Sequence, residues 1–235
     1  MRYVNRRGFT LIELLTVIAI MSLLMAILLP TLSGAREYAR AVYCSSNVRQ
    51  ILMANMQYGQ EHHDTWPGRA DNGVEDYDGK LCSWVPSGKT TDPRFDLTKG
   101  VLYSLLKNEK VFRCPTDPFP SKGLSYAINA NLYVDRVSLP SKEPGVSYPK
   151  PGRFNQRSDQ LVIMVDEGSP NDGNFKPIYP SMDWADEPKW YHHGGASFGF
   201  FDGHGVTVKS NNTLYTYHKS LVWFPDEDNL EIKEP

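Results

Sequence analysis

The hydrophobic and polar positions divide the chain into an apolar amino-terminal segment and a longer, mostly polar remainder. Residues 14–35 include no charged side chain. At a rise of 1.5 Å per residue, a helix of about 20 apolar residues crosses a hydrocarbon core of about 30 Å. The pattern therefore predicts a membrane-spanning helix over residues 9–30, preceded by a short basic segment over residues 1–8.

Beyond Pro30 the pattern becomes that of an amphipathic helix, which we predict to continue over residues 31–60. Apolar positions recur at three- and four-residue spacing, which is typical of a helix that packs on a sheet. Because proline removes one backbone hydrogen bond, we expect a kink or a loosened turn at Pro30. The apolar stripe comprises Ala41, Cys44, Val48, Ile51, Leu52, Asn55 and Tyr58, whereas Arg36, Arg40, Asn47, Gln50 and Gln57 lie largely outside it.

Residues 61–235 are predicted to form a loop-rich β head. Seventeen prolines, eighteen glycines and 12% aromatic residues favour short strands and turns over a helical bundle. Asp202-Gly203 is a hairpin signal between two of the predicted strands. The clearest strands are Leu161–Asp166, Ala196–Phe201 and Gly205–Lys209. Weaker patterns predict a strand at Leu81–Val85, a strand that runs into a turn at Val111–Pro118, a helix at Leu97–Lys107 and an extended segment at Gly123–Asn131.

These elements predict an α+β fold in which the later half of one long helix packs on a small antiparallel sheet of about four strands. The length of 235 residues suits one anchor and one modest head. A net charge of -2 gives no sign of nucleic acid as the main partner.

The amino-terminal segment also carries a single acid, Glu13, inside its apolar run. A carboxylate is costly in lipid, so its presence suggests a partner of opposite charge. Arg2, Arg6 and Arg7 precede the span and predict a cytoplasmic amino terminus with an exported head. The apolar run is long for a secretory signal peptide, and no small-x-small cleavage site ends it.

The run from Arg7 to Leu15, RGFTLIELL, resembles the cleavage and methylation site of type IV prepilins and type II secretion pseudopilins. The resemblance implies that prepilin peptidase cuts between Gly8 and Phe9 and methylates the new amino terminus at Phe9. It further implies that Glu13 pairs with the amino terminus of a neighbouring pilin or pseudopilin subunit at an inner-membrane assembly platform. The chain would then be a single-pass protein of the bacterial inner membrane, in contact with lipid, and later part of a periplasmic or cell-surface filament.

A second resemblance lies in the head, where His192, nine intervening residues and Asp202-Gly203 match the His-x9-Asp-Gly domain of many pilin-like proteins. The segments that begin at Cys44 and Phe112 resemble the same group. This domain brings no reaction with it, so the resemblance implies a pilin-like fold and no specific chemistry.

The same block supplies candidate ligands for a metal, namely His192, Asp202 and His204, which together with His193 and Asp166 could also be imagined as a hydrolytic site. The hairpin turn already accounts for Asp202, however, and a hydrogen bond that locks the hairpin would account for His192. No nucleophile elbow, HExxH motif or phosphate loop is present. We therefore predict no enzyme activity and no cofactor, with calcium or another metal left as an alternative.

Other positions could bind a metal, although simpler roles account for them. Asp71, Asp76 and Asp78 resemble a calcium loop in composition, but their spacing does not fit an EF-hand. His62 and His63 are a pair of potential ligands, yet a solvated helix end explains them as well.

Three cysteines, Cys44, Cys82 and Cys114, would lie in an oxidising compartment, where a disulfide is expected. Cys44 lies on the sheet-facing stripe and Cys114 ends a predicted strand, which favours a Cys44–Cys114 disulfide with Cys82 left over. Three buried reduced thiols are the alternative.

Two functions are consistent with the sequence. The first is a structural subunit of a type IV pilus or of a type II secretion pseudopilus-like filament. The second is a membrane-anchored binding or enzymatic domain exported through the pilin route. Glu13 and the peptidase site favour the first, since a simple anchor needs neither. The sequence does not separate adhesion pili, DNA-uptake pili and secretion pseudopili.

Overall fold

The structure is a computed structural model and describes residues 9–62, 66–68, 83–86, 92–93, 95–118, 123–129, 159, 161–167, 173–175 and 188–209. The chain divides into two compact units, Met1–Ala39 and Arg40–Pro235. Each unit is described separately below, and helix α1, Leu11–Glu61, contributes residues to both.

The first unit consists of the apolar part of α1. Every side chain in residues 11–33 is exposed, although most of them are apolar. The helix is long and apolar enough to cross a membrane. Its helical hydrogen bonding continues past Pro30. A long and mostly apolar helical surface on which none of the described residues packs needs lipid or other helices around it, which supports the predicted anchor helix.

The second unit contains a five-stranded sheet. Strands β2, β4 and β5 confirm the three strands predicted most clearly, and β1 lies in the predicted extended segment. The strands are β1 Tyr126–Asn129, β2 Val162–Asp166, β3 Asn174–Phe175, β4 Gly195–Phe200 and β5 Gly205–Lys209, in the spatial order β3-β1-β2-β4-β5.

The prediction of a purely antiparallel sheet of about four strands is wrong at one edge. Strand β3 pairs in parallel with β1, whereas the three other pairs are antiparallel. A strand of two residues has no measurable alternation of polar and apolar positions, so the sequence could not reveal it. The sheet is therefore mixed, within the α+β class that was predicted.

The later part of α1 packs on this sheet through the predicted stripe, and all seven residues of the stripe are buried. Strand β4 approaches the helix closely at Gly199, where an added Cβ would lie 2.5 Å from Val48 Cγ1 and 2.7 Å from Leu52 Cδ1. Gly205 of β5 is equally close, because a Cβ there would lie 2.7 Å from the carbonyl oxygen of Ser45. Glycine at both positions lets the helix backbone sit directly on the sheet.

Short helices replace one predicted strand. The helix predicted at Leu97–Lys107 is present as a 3-10 turn, Leu97–Lys99, followed by α2, Val101–Leu106. The strand predicted at the start of Val111–Pro118 is wrong, because Glu109–Phe112 forms a 3-10 helix, whereas the turn predicted after it is present at Pro115 and Thr116. The Asn108 side chain accepts a hydrogen bond from the Lys110 backbone N–H at 3.1 Å, and such a cap favours a helical turn over an extended strand.

The strand predicted at Leu81–Val85 is not formed in its described part. Ser83 makes a single parallel bridge to Gly68, and Trp84 and Val85 continue without strand pairing. Trp84 is instead fully buried in the core, where its ring N–H donates to the carbonyl oxygen of Gly173 at 3.0 Å. The apolar residues of this segment thus reflect burial of one large side chain.

Candidate functional site

The start of α1 holds the first group of functional candidates. The Thr10 backbone N–H and hydroxyl both donate to Glu13 Oε2 at 2.8 Å, and the Glu13 backbone N–H donates to Thr10 Oγ1 at 3.3 Å. This reciprocal arrangement is a capping box, which satisfies two of the unpaired N–H groups at a helix start. Glu13 thus has a local structural partner in addition to any partner on another subunit.

The capping role of Thr10 was not predicted, although Thr-x-x-Glu before an apolar run is the signature of a capping box. Phe9 and Glu13 are both exposed. Gly8, on the other side of the predicted cleavage point, lies outside the described residues. The predicted cut between Gly8 and Phe9 therefore remains a prediction.

A second group of candidates is buried in the head, where three distant chain segments meet. Cys44 comes from α1, Cys114 follows the 3-10 helix Glu109–Phe112, and His192 lies in the turn before β4. Their ligand atoms, two Sγ atoms and one imidazole nitrogen, all lie within 4.8 Å of one another. Cys114 Sγ is 3.3 Å from His192 Nε2, so all three side chains converge on one buried point.

Asp166, the last residue of β2, adds a carboxylate to this group. Its Oδ2 lies 3.6 Å from His192 Nε2 and accepts a hydrogen bond from the Ser197 backbone N–H at 2.5 Å. Its Oδ1 is buried and has no hydrogen-bond partner among the described residues. Burial raises the pKa of Asp166 to about 8, and the neighbouring Cys114 adds to the rise.

The pKa of the Cys114 thiol is lowered, whereas that of the Asp166 carboxyl group is raised. A hydrogen bond from the Cys44 thiol lowers the pKa of Cys114, and His192 lowers it further against the effect of burial. We call Cys44, Cys114, His192 and Asp166 the thiol–imidazole cluster. Two cysteines, one histidine and one carboxylate form a donor set that suits a divalent, borderline-soft metal ion.

Asn47 is buried and hydrogen-bonded to the residue next to Cys114, although we predicted that it would lie largely outside the apolar stripe. It is 1% exposed. Its amide group donates to the carbonyl oxygen of Arg113 at 3.0 Å and to the Tyr126 hydroxyl at 3.3 Å. A polar residue beside the stripe gives no sign of burial in the sequence, because its partners come from chain segments far away.

The structure does not bring His192 together with Asp202 and His204, as the sequence suggested for a metal. His192 precedes β4, whereas the other two follow it in the β4–β5 turn, and a strand of six residues spans about 20 Å. Asp202 Oδ1 pairs instead with His204 Nδ1 at 2.6 Å and with the His204 backbone N–H at 3.0 Å. These contacts and the positive φ of Gly203, +90°, form the predicted hairpin turn.

The remaining candidates are the cysteines, the neighbouring histidines His62 and His63, and the three aspartates of the proposed calcium loop. Cys44 and Cys114 are side by side as thiols, so a disulfide between them stays a prediction. His62 stacks on Tyr58 with ring centroids 3.9 Å apart. His63, Cys82 and the aspartates Asp71, Asp76 and Asp78 lie outside the described residues.

Comparison with known proteins supports the interpretation of the amino-terminal segment. Residues 4–29 match the family described as the prokaryotic N-terminal methylation motif. The ComG operon protein 3 homolog of Bacillus licheniformis is 29% identical over 85 residues, which cover 36% of this chain and 87% of that protein. No solved structure matches the chain.

The methylation motif coincides with the capped, apolar start of α1, and an α+β head follows it. This combination supports membrane anchoring with an exported head, and it points to a structural role. In these features the chain is similar to type IV pilin-like proteins.

Proposed function

We propose that this protein is a structural subunit of a type IV pilus or of a type II secretion pseudopilus-like filament. In this proposal, prepilin peptidase removes residues 1–8, Phe9 becomes the methylated amino terminus, and subunits associate through their apolar helices at an inner-membrane assembly platform. The protein carries out no reaction of its own. The methylation motif at residues 4–29 supports the processing step.

One observation carries the proposal: Glu13 is an exposed acid in a helix surface that is otherwise apolar. Its capping contacts with Thr10 neutralise no charge, so a carboxylate in lipid still has no cationic partner among the residues that the structure describes. The ammonium group that cleavage creates at Phe9 of a neighbouring subunit is a suitable partner. Pairing the two would also fix the axial register, because a shifted neighbour leaves both charges unpaired.

The test must separate the charge of Glu13 from its capping role. Glu13→Gln removes the charge but retains a side chain that can occupy a capping box. Thr10→Ala removes the cap and retains the charge, and is the matched control. We expect Glu13→Gln and Glu13→Ala to lower filament yield relative to total membrane protein, and Thr10→Ala to leave it closer to that of the unmodified chain.

The measurement is the amount of head antigen in sheared filaments, divided by the amount in membranes, together with the mass of the mature amino terminus. Normal filaments from Glu13→Gln would refute the proposed charge pairing. An uncleaved amino terminus, or a cut after the apolar run, would refute the proposed processing. Replacing Gly8 by leucine should block cleavage and retain the protein in the membrane.

A further inference from the structure

Three side chains of the thiol–imidazole cluster, Cys44, Cys114 and His192, place their ligand atoms close enough together to share one metal ion. With bond lengths of about 2.3 Å to sulfur and 2.0–2.2 Å to nitrogen and oxygen, ligand atoms around zinc lie about 3.4–3.8 Å apart. The observed separations are 3.3 Å between Cys114 Sγ and His192 Nε2, and 3.6 Å between His192 Nε2 and Asp166 Oδ2. The ligand atoms of Cys44, Cys114 and His192 all lie within 4.8 Å of one another. Asp166 lies at the edge of this group, next to the imidazole, and would have to approach the ion to complete a set of four ligands.

The carboxylate of Asp166 is an independent observation that points to a cation. It is fully buried, and its Oδ1 has no hydrogen-bond partner among the described residues. Burying a carboxyl group with one oxygen unsatisfied is costly, and a divalent ion on the side of Oδ2 would offset part of that cost by placing a positive charge next to the group. The Ser197 N–H that donates to Oδ2 would orient this carboxylate, as partners of metal ligands do.

We propose that Cys44, Cys114 and His192, with Asp166 as the fourth ligand, form a structural Zn²⁺ site in the head. Each ligand comes from a different segment, so the ion would join α1, the segment after the 3-10 helix Glu109–Phe112, the turn before β4 and the end of β2. Binding would displace the protons of both thiols and place two thiolates and one carboxylate around the ion. His192 would bind through Nε2, the nitrogen that faces both Cys114 and Asp166.

A disulfide between Cys44 and Cys114 is the competing use of the two sulfurs. It would account for the cysteines but would leave the imidazole and the carboxylate buried beside two uncharged sulfur atoms. A metal ion gives a role to all four side chains. The two alternatives also differ in mass, since a disulfide makes the chain lighter by two hydrogens.

The experiment uses the full chain, purified in detergent without added reductant. We expect about one zinc per chain by elemental analysis, and a mass that corresponds to reduced cysteines. Exchange of zinc for Co²⁺ should produce thiolate-to-cobalt charge-transfer absorption and the intense visible bands of a tetrahedral site. A Cys44–Cys114 disulfide in the isolated chain, or no cobalt spectrum of this type, would overturn the proposal.

Variants assign the ligands. Cys44→Ser and Cys114→Ser should lose the charge-transfer absorption in part or in full. Asp166→Asn should lower zinc affinity at least as much as the loss of an outer-shell partner does, about tenfold or more. His204→Gln is the matched control, because this histidine is half-exposed in the β4–β5 turn and should leave the spectrum unchanged. Loss of the spectrum in His204→Gln, or an unchanged spectrum in both serine variants, would place the metal elsewhere and overturn the proposal. The spectrum of the unmodified chain decides the matter even where a serine variant fails to fold.

Discussion

The close approach of β4 to α1 predicts that Gly199 tolerates no side chain in the present packing. In Gly199→Ala, the new methyl group would meet Val48 Cγ1 at 2.5 Å and Leu52 Cδ1 at 2.7 Å. Both neighbours are fully buried, so they have little space into which to move. Overpacking of this kind costs about 1–3 kcal/mol. At about 2–4 °C per kcal/mol for a unit of this size, the melting temperature should fall by about 2–12 °C.

A compensating substitution makes the prediction specific to one contact. Val48→Ala alone removes two buried methyl groups, which should destabilise the head by about 1–3 kcal/mol. In the double variant, the methyl group added at Gly199 fills part of the space that the valine vacated. The combined destabilisation should therefore be smaller than the sum of the single effects by about 1 kcal/mol or more.

Thermal unfolding of the full chain in detergent, followed by tryptophan fluorescence, provides the assay. All five tryptophans lie after residue 60, so the signal reports on the head. Gly205→Ala is the matched control, because its added methyl group would meet the Ser45 backbone oxygen at 2.7 Å and Val48 Cγ1 only at 3.6 Å. Val48→Ala should not rescue it. Additive effects of Gly199→Ala and Val48→Ala would refute the proposed contact.

Three further substitutions test buried polar and turn positions by the same unfolding assay. Asn47→Ala should destabilise the head by about 1–3 kcal/mol, because it removes the hydrogen bond to the Arg113 carbonyl oxygen in the buried interior; an unchanged melting temperature would contradict this. Trp84→Phe should cost about 1 kcal/mol or more through the lost hydrogen bond to Gly173 and the smaller ring; equal stability would show that this bond is unimportant. Gly203→Ala should cost about 1 kcal/mol or more, since its φ of +90° strains other residues, and no loss would contradict that.

The helix and the main strands could be predicted from the sequence because their signals are local. The buried stripe from Ala41 to Tyr58 repeats at helical spacing, and β2 is a short apolar run, so each pattern lies within a single element. The strand predicted at the start of Val111–Pro118 is wrong because it was inferred from a short local run of apolar residues alone. A local cap at Asn108 stabilises a 3-10 turn there, and the prediction took no account of it.

The buried cluster could be predicted only in part. The proximity of Cys44 and Cys114 followed from the helical stripe, although Cys114 was assigned to a strand that does not form. Asp166 was considered only as a possible addition to a site formed by the histidines near residue 192. His192 itself was grouped with Asp202, although strand β4 separates the two residues. Contacts between segments about 70 residues apart depend on how α1 and the sheet pack, and no spacing within one segment encodes that arrangement.

Polar contacts are what fix the register of α1 on the sheet. Apolar side chains alone would tolerate a slide of the helix, because nondirectional packing can be rebuilt in several ways. A slide of one turn, about 5.4 Å, would remove Asn47 from the Arg113 carbonyl oxygen and Ser45 from Thr207, whose hydroxyl groups are now 2.9 Å apart. It would also carry Cys44 away from the cluster and bring different side chains over Gly199. The hydrogen-bonded and close-packed positions therefore agree on a single register, in which the residues of the cluster come together.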